Sequence, residues 1–494
     1  MGDAGNSISA GTVRIGRAGA EKAVGRNAAG SKRETGQSGG TYTVKRYNIE
    51  EFGARADGSL CTEAIQQAIN ACGETGGIVE IGAGTYLTGT LQLRSHVTLH
   101  LAQNAVLLGS GSMADYKSFD HIQNEWGEIF SLFYAKDCED IVIEGDGKID
   151  FNGDAFFDYT TPRVEGLDLE SLTEAQKNQF VVNFDERPNQ LIFFRKCRNV
   201  RIRDTAFYNA PCWGIVFSAC EEVKITGITI RFGQRIPNND GIHLCSCQDV
   251  IVTGCDIVAG DDCIAISGID DWMRESRRII VSDCILSSSS AGVRIGYFCS
   301  KVNDVQVHNC TIYRSNRGIC MTACKGGYVK NVVLSGLIID TMSRAGGWWG
   351  IGEAIYLSAL NHELHHNYRE PYDTVPGKYN IENITVRDVM ASCENGIVLA
   401  GEHGNIHDVR FYNLRLRFLD APDRKFFGGK MDFLPGKMEK MVPEGRLYWI
   451  YAREASCIKV QDYSIENEIT QESLIIEPCL ENCEKVLFES AWPE

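Results

Sequence analysis

A parallel β-solenoid is the fold class this sequence predicts: an all-β chain wound in coils, with one short helix capping its start. Three observations predict it. Short alternating runs recur along the chain: NVRI at 199–202, EVKI at 222–225, DVIV at 249–252, RIIV at 278–281, DVQV at 304–307 and NVVL at 331–334. Their second residues, Val200, Val223, Val250, Ile279, Val305 and Val332, are separated by 23 to 29 residues with no helical segment between the strands; a leucine-rich repeat has a similar period, but its Leu/Asn consensus is missing. A second strand set follows the first in each coil, and several cysteines keep the same register, as interior columns of a stacked structure must.

The elements follow in order. AIQQAINAC at 64–72 has the spacing of an amphipathic helix, placed to cap the open end of the core. IVEI at 78–81 and TYLTGTLQL at 85–93 then read as strands, and HVTL at 96–99, DIVI at 140–143, NITV at 383–386 and DVRF at 408–411 extend the first strand set. The second set reads WGIVF at 213–217, DGIHL at 240–244, DCIAI at 262–266, AGVRI at 291–295, RGICM at 317–321, EAIYL at 353–357 and NGIVL at 395–399. Aligning its apolar pairs stacks Trp213, Asp240, Asp262, Ala291, Arg317, Glu353 and Asn395 in one column. Val216, His243, Ala265, Arg294, Cys320, Tyr356 and Val398 fall in another. Cys197, Cys220 and Cys247 each lie three residues before a marker, and Cys255, Cys284 and Cys310 five after one. Both sets read as buried ladders of small apolar side chains.

Composition narrows the function. The 494 residues carry a net charge of −16, which argues against nucleic acid and anionic membranes as partners. No apolar run approaches a membrane span. Residues 1–40 hold 10 of the 50 glycines and read as a flexible tail without the apolar core of a secretory signal. The solenoid is expected over 41–415, and 416–494 is expected to complete or flank it. The repeat fades after Val409, and 426–455 reads as a lid, a return arm or an interface. Nineteen cysteines in a large chain with no visible export signal point to free thiols and a cytoplasmic, reducing compartment. No paired CxxC or HxxxH spacing calls for a metal.

The column alignment places Asp240 and Asp262 one coil apart, about 5 Å, and Asp261 adjoins Asp262. Three carboxylates on one wall repel, so at least one pKa rises. A carboxylic acid with a raised pKa beside an ionised carboxylate is what glycosidic cleavage needs. Two other readings of these residues are a structural corner with Asp capping backbone N–H groups and a calcium site.

At these residues the sequence resembles glycoside hydrolase family 28, the polygalacturonase-like enzymes. The resemblance covers most of 48–415. It rests on FGARADG at 52–58, AIQQAINAC, GAGTYLTGTLQLRSHVTLHL at 82–101, PNNDGI at 237–242 and AGDDCIAI at 259–266. It implies a single-stranded right-handed parallel β-helix, a carbohydrate substrate, no cofactor, and three catalytic residues, Asp240, Asp261 and Asp262. Asp261 would protonate the leaving oxygen while Asp240 and Asp262 activate a water, with inversion. A coil spacing is nearer the carboxyl separation of retaining enzymes, but a stacking pitch does not locate carboxyl oxygens.

Three positions depart from the family pattern. A His of the family reads as Ala291, and the Arg and Lys that grip the substrate carboxylate read as Cys320 and Thr322. Arg294 and Arg317 lie on the same face and either would supply a cation; for Arg317 an ion pair with Glu353 is an equal alternative. Trp213, His243 and Glu353 are further candidate substrate contacts. Trp348 and Trp349 read either as a sugar platform or as packing between coils. The loops at 115–135, 150–190 and 361–378 are long enough to wall a groove. Two other functions are open: a lyase in which the acids hold Ca²⁺ and Arg294 or Arg317 abstracts a proton, and a non-catalytic carbohydrate-binding solenoid.

Overall fold

The structure, a computed structural model, describes residues 44–490 except 123–126, 163–172, 185, 269–273, 345–347, 361–377, 421–429, 434–438 and 471–473. The tail expected at 1–40 and nearly all of the 361–378 loop lie outside the described residues.

Each coil contributes one strand to a 12-stranded parallel sheet and, after a turn, one or two segments to a 22-stranded parallel sheet. In one coil Trp213–Ser218 lies in the smaller sheet, Glu221–Thr226 and Thr229–Arg231 lie in the larger, and a loop leads to Ile242–Cys245 of the next coil. The marker column stacks as read, Val223 on Val250, Ile279, Val305 and Val332. Val216, His243, Ala265, Arg294, Cys320, Tyr356 and Val398 are also successive register partners. Alternating burial explains this register: every second residue of Glu221–Thr226 and Gln248–Thr253 is sealed in the core, so a one-residue slip would put the interior set outside.

The residue opening each repeated run has a backbone reason. Asn199, Glu222, Asp249, Arg278, Asp304 and Asn331 all have positive φ, between 52° and 58°. The turn entering the large sheet needs the left-handed conformation, which Asn and Asp tolerate best. Asn331 and Asn383 extend this column as a side-chain ladder, with Asn383 Nδ2 donating to Asn331 Oδ1 over 2.6 Å.

The helix Thr62–Thr75 buries Ile65, Ala68, Ile69 and Cys72 against the first coils. Sequence reasoning missed a second short helix, Glu174–Lys177, held by a capping box at Thr173. The cysteine ladders are interior: Cys197, Cys220 and Cys247 are buried, as are Cys255, Cys284 and Cys310, and all nineteen cysteines are free thiols. The winding does not fade after Val409. Arg446–Arg453 and Ala455–Asn467 stack on Asn395–Gly401 and Ile406–Phe418, and Ile475–Glu481 and Glu484–Glu489 add a further coil. Within 426–455, Lys430–Asp432 and Glu439–Met441 form an antiparallel hairpin inserted between coils. Two more hairpins rise from the long loops, Ser118–Ile122 with Gly127–Phe130 and Phe157–Pro162 with Val182–Phe184.

Candidate active site

The loop from Phe232 to Gly241 and the turn Gly260–Cys263 lead into neighbouring strands of the small sheet. Backbone bonds fix their relative height: Gly214 N–H donates to the Asp240 carbonyl (2.9 Å), and Gly241 N–H to the Asp262 carbonyl (2.9 Å). Asp240 and Asp262 therefore occupy equivalent positions of adjacent coils. Asn239, fully buried, cross-links the two loops. Its Oδ1 accepts from the N–H groups of Gly260 (2.7 Å) and Asp261 (3.1 Å), and its Nδ2 donates to the Gly233 carbonyl (3.0 Å). Close approach also dictates Gly260: a Cβ there would lie 2.5 Å from Asn239 Oδ1, Gly233 O and Ile236 O.

The three carboxyls differ in surroundings. Asp240 and Asp262 are each 2% exposed, whereas Asp261 keeps intermediate exposure. Asp261 accepts N–H donation from Asn238 (3.2 Å) and from Asp262 (3.1 Å). Asp262 accepts from Ser290 Oγ (3.1 Å), Ala291 N (3.2 Å) and Arg294 Nε. Desolvation in the recess, then the like charges of Asp240 and Asp262, push the Asp261 carboxyl well above the ordinary carboxylate range. Burial and then Asp262 raise Asp240 in the same way, against the pull of Arg294. The arrangement thus offers an accessible carboxyl able to hold a proton beside two sealed carboxyl groups, a set suited to general acid and base work.

Comparison with known proteins decides the family. The sequence profile of glycosyl hydrolases family 28 matches residues 77–345.

The chain belongs to family 28.

A probable polygalacturonase of Vitis vinifera is 29% identical over 327 residues, 62% of each chain. An exo-poly-alpha-D-galacturonosidase of Dickeya chrysanthemi is 32% identical over 255 residues, 45% of this chain and 42% of the relative. The matches thus span less than two thirds of those relatives' own lengths. The family 28 exopolygalacturonase structure from Yersinia enterocolitica superposes with a TM-score of 0.65 at 18% identity, covering 90% of this chain and 78% of the other, and supports the right-handed parallel β-helix.

Within this family 28 chain the remaining candidates separate. His243 is in the predicted column but fully sealed. Its Nδ1 lies 3.2 Å from Asp240 Oδ2, its Nε2 meets Ser267 Oγ at 2.9 Å, and its ring packs on Trp213 with centroids 4.0 Å apart. His243 thus faces Asp240 and packs on Trp213, and both side chains are buried rather than standing as open walls of a groove. Arg317, 1% exposed, takes the ion-pair alternative. It faces Glu353 (Nε to Oε2, 3.4 Å) and Asp432 (Nη2 to Oδ2, 3.7 Å) and stacks on Tyr356 at 3.7 Å. Its charge and that of Glu353 are engaged internally, so neither stands as a substrate contact here. Trp348 is also buried; its indole N–H donates to the Gln179 carbonyl over 2.9 Å. Trp349 keeps part of its surface and lies against Tyr297, centroids 6.0 Å apart and 20° from parallel. Arg294 lies among the acids, its guanidinium engaged by Asp262 and Asp240 and not extended toward a substrate carboxylate. Among the described residues the three-ligand group able to hold a metal is His96, Glu139 and Asp140, exposed on the large sheet and away from these acids.

Sequence reasoning missed Asn239, Tyr297, Asp432 and Arg187. Buried Arg187 follows the hairpin strand Val182–Phe184 and donates to the carbonyls of Pro211 (2.6 Å) and Pro237 (2.7 Å) and to Asn238 Oδ1 (3.1 Å). It stacks 3.8 Å over Phe184. It ties the hairpin to the loop carrying Asp240. Nothing in its local ERPN context signals this, because its partners lie one and two coils away.

Proposed function

We propose that this chain is an inverting glycoside hydrolase cleaving O-glycosidic bonds of pectin-like oligo- or polysaccharides. The observation that carries this reading is the carboxyl cluster, with Asp261 reachable and Asp240 and Asp262 sealed beside it. Asp261 protonates the leaving oxygen as general acid, and Asp240 and Asp262 draw the proton from the attacking water. Trp349 supplies a partly exposed aromatic face for a sugar ring. The chemistry named in the relatives, poly-galacturonide cleavage, supports the substrate class.

End-wise cleavage fits the same site. The segment around Gln179 meets Trp348, and Arg187 anchors its hairpin on the loop bearing Asp240, so long insertions meet beside the acids. A cytoplasmic, reducing setting belongs to the proposal as well, supported by the fifteen buried thiols among nineteen. A lyase is disfavoured, because the guanidinium of Arg294 is charge-paired and a paired guanidinium is a poor base.

The test is incubation with defined uronic and neutral oligosaccharides, with the products followed by proton NMR. Saturated products whose first-formed anomer is inverted support the proposal. Unsaturated products would assign a lyase, and binding without turnover across the panel would assign a carbohydrate-binding solenoid.

A further inference from the structure

We propose that Arg294 is a positioning residue that biases where the proton sits among the three acids: by contacting Asp262 and Asp240 it favours their charged forms over that of Asp261. This rests on the hydrolase reading and deepens it. The residue lies at the third position after Ala291, in the column of His243 and Ala265, where only the accident of strand register brings it against the acids of the two preceding coils.

The geometry is selective. Arg294 is 6% exposed. Its Nε donates to Asp262 Oδ2, its Nη2 lies 3.6 Å from Asp240 Oδ2, and its Nη1 donates to the Gly296 carbonyl at 3.4 Å. Its far face is closed by the Tyr297 ring, 4.5 Å from the guanidinium carbon, and Tyr297 is backed by Trp349. Asp261 feels the guanidinium's charge more weakly than Asp240 and Asp262 do, and both its carboxyl oxygens take backbone N–H groups. A guanidinium does not release its proton in a protein, so the cation is permanent. Held dry, a fixed positive charge acts far more strongly than in water.

The other titratable groups around it do not offer a substitute. His243 faces Asp240 from below, Cys320 is its register partner on the next strand, and Arg317 lies beyond Cys320, paired with Glu353 and Asp432. Of the influences on Asp240, burial and Asp262 favour the neutral acid, and Arg294 is the main one favouring the charge. Without the guanidinium, the carboxyls that must accept a proton would compete with Asp261 for it. This differs from the cation expected to clamp a substrate carboxylate: the charge is consumed inside the site.

The experiment compares the pH profile of kcat/KM for the full chain, Arg294→Gln and Arg294→Lys. Arg294→Gln should move the acidic limb to higher pH by about one unit or more, a tenfold loss per unit on that side. Arg294→Lys should return the limb toward the wild-type position while kcat stays lower, because an ammonium cannot span both acids. A lowered profile with unmoved limbs would mean a merely structural residue and would overturn the proposal. A second measurement needs neither turnover nor the glutamine variant to fold. In wild-type protein carrying ¹³C-carboxyl aspartate, assigned through Asp240→Asn, Asp261→Asn and Asp262→Asn, Asp261 should be the last of the three to ionise. A proton retained longest by Asp240 or Asp262 would refute this bias. If the wild type cleaves nothing, the hydrolase reading fails by itself and the carboxyl order still judges Arg294.

Discussion

Replacing Asn239 by Ala tests whether the acids are held by the loop cross-link. The side chain is fully buried and satisfies three backbone groups: two N–H donors, on Gly260 and Asp261, and the Gly233 carbonyl. An orphaned buried polar group costs about 1–3 kcal/mol, so three give a local loss of at least about 3 kcal/mol. Water entering beside the partly exposed Asp261 keeps the value near that lower figure. The readout is amide hydrogen exchange at Gly260 and Asp261, where 3 kcal/mol corresponds to exchange roughly 10²-fold faster. Loosening Asp261 by about 1 Å should lower kcat by roughly 10²-fold as well. Asn239→Asp keeps the acceptor for both N–H groups but loses the donor to Gly233 and adds a fourth carboxylate, so exchange at Gly260 and Asp261 should rise less than in Asn239→Ala while activity falls. Wild-type exchange and kcat in Asn239→Ala would show that the loops are held by something else.

Glu353→Ala leaves Arg317 buried against Asp432 alone. It should destabilise the protein by about 3 kcal/mol, read as a lower denaturation midpoint, without moving the limbs of the pH profile. A thiol reagent on native protein should titrate rapidly at most the four cysteines that are not buried, Cys138, Cys457, Cys479 and Cys483, and all nineteen after unfolding. Asp261→Asn should raise stability at neutral pH. The native carboxyl has a raised pKa, so its contribution is fully present below the unfolded value of about 3.9 and is lost as pH rises through the folded value. The gain over wild type, measured by thermal unfolding, should vanish below about pH 4; an equal gain at every pH would argue against a perturbed carboxyl.

The solenoid was legible because burial alternates with period two and the coils repeat. Ile279 or Val332 has one solution that keeps it inside. The same constraint made Asp240 and Asp262 neighbours on paper. What the pattern could not show is where a long side chain ends. Arg294 and Arg317 occupy the expected columns, yet each turns onto acids within the protein, because a buried carboxylate left without its cation is costly. Trp348 reads as an exposed platform until the segment around Gln179, distant in sequence, is known to cover it. The coils beyond Val409 escaped notice because the hairpin Lys430–Asp432 with Glu439–Met441 lengthens one step, although Ile458 and Val486 continue the same interior column. Asn239 sits in a motif that draws attention to the acid after it, and its own bonds are to backbone of another coil.

The most direct measurement is reducing-end release from a saturating oligogalacturonide by wild type and Asp261→Asn, with circular dichroism confirming that the β-helix persists in both. The account predicts cleavage by the wild type and a loss of at least about 10²-fold in the variant, the minimum for a general acid in the transition state. An Asp261→Asn enzyme that cleaves at the wild-type rate would contradict it.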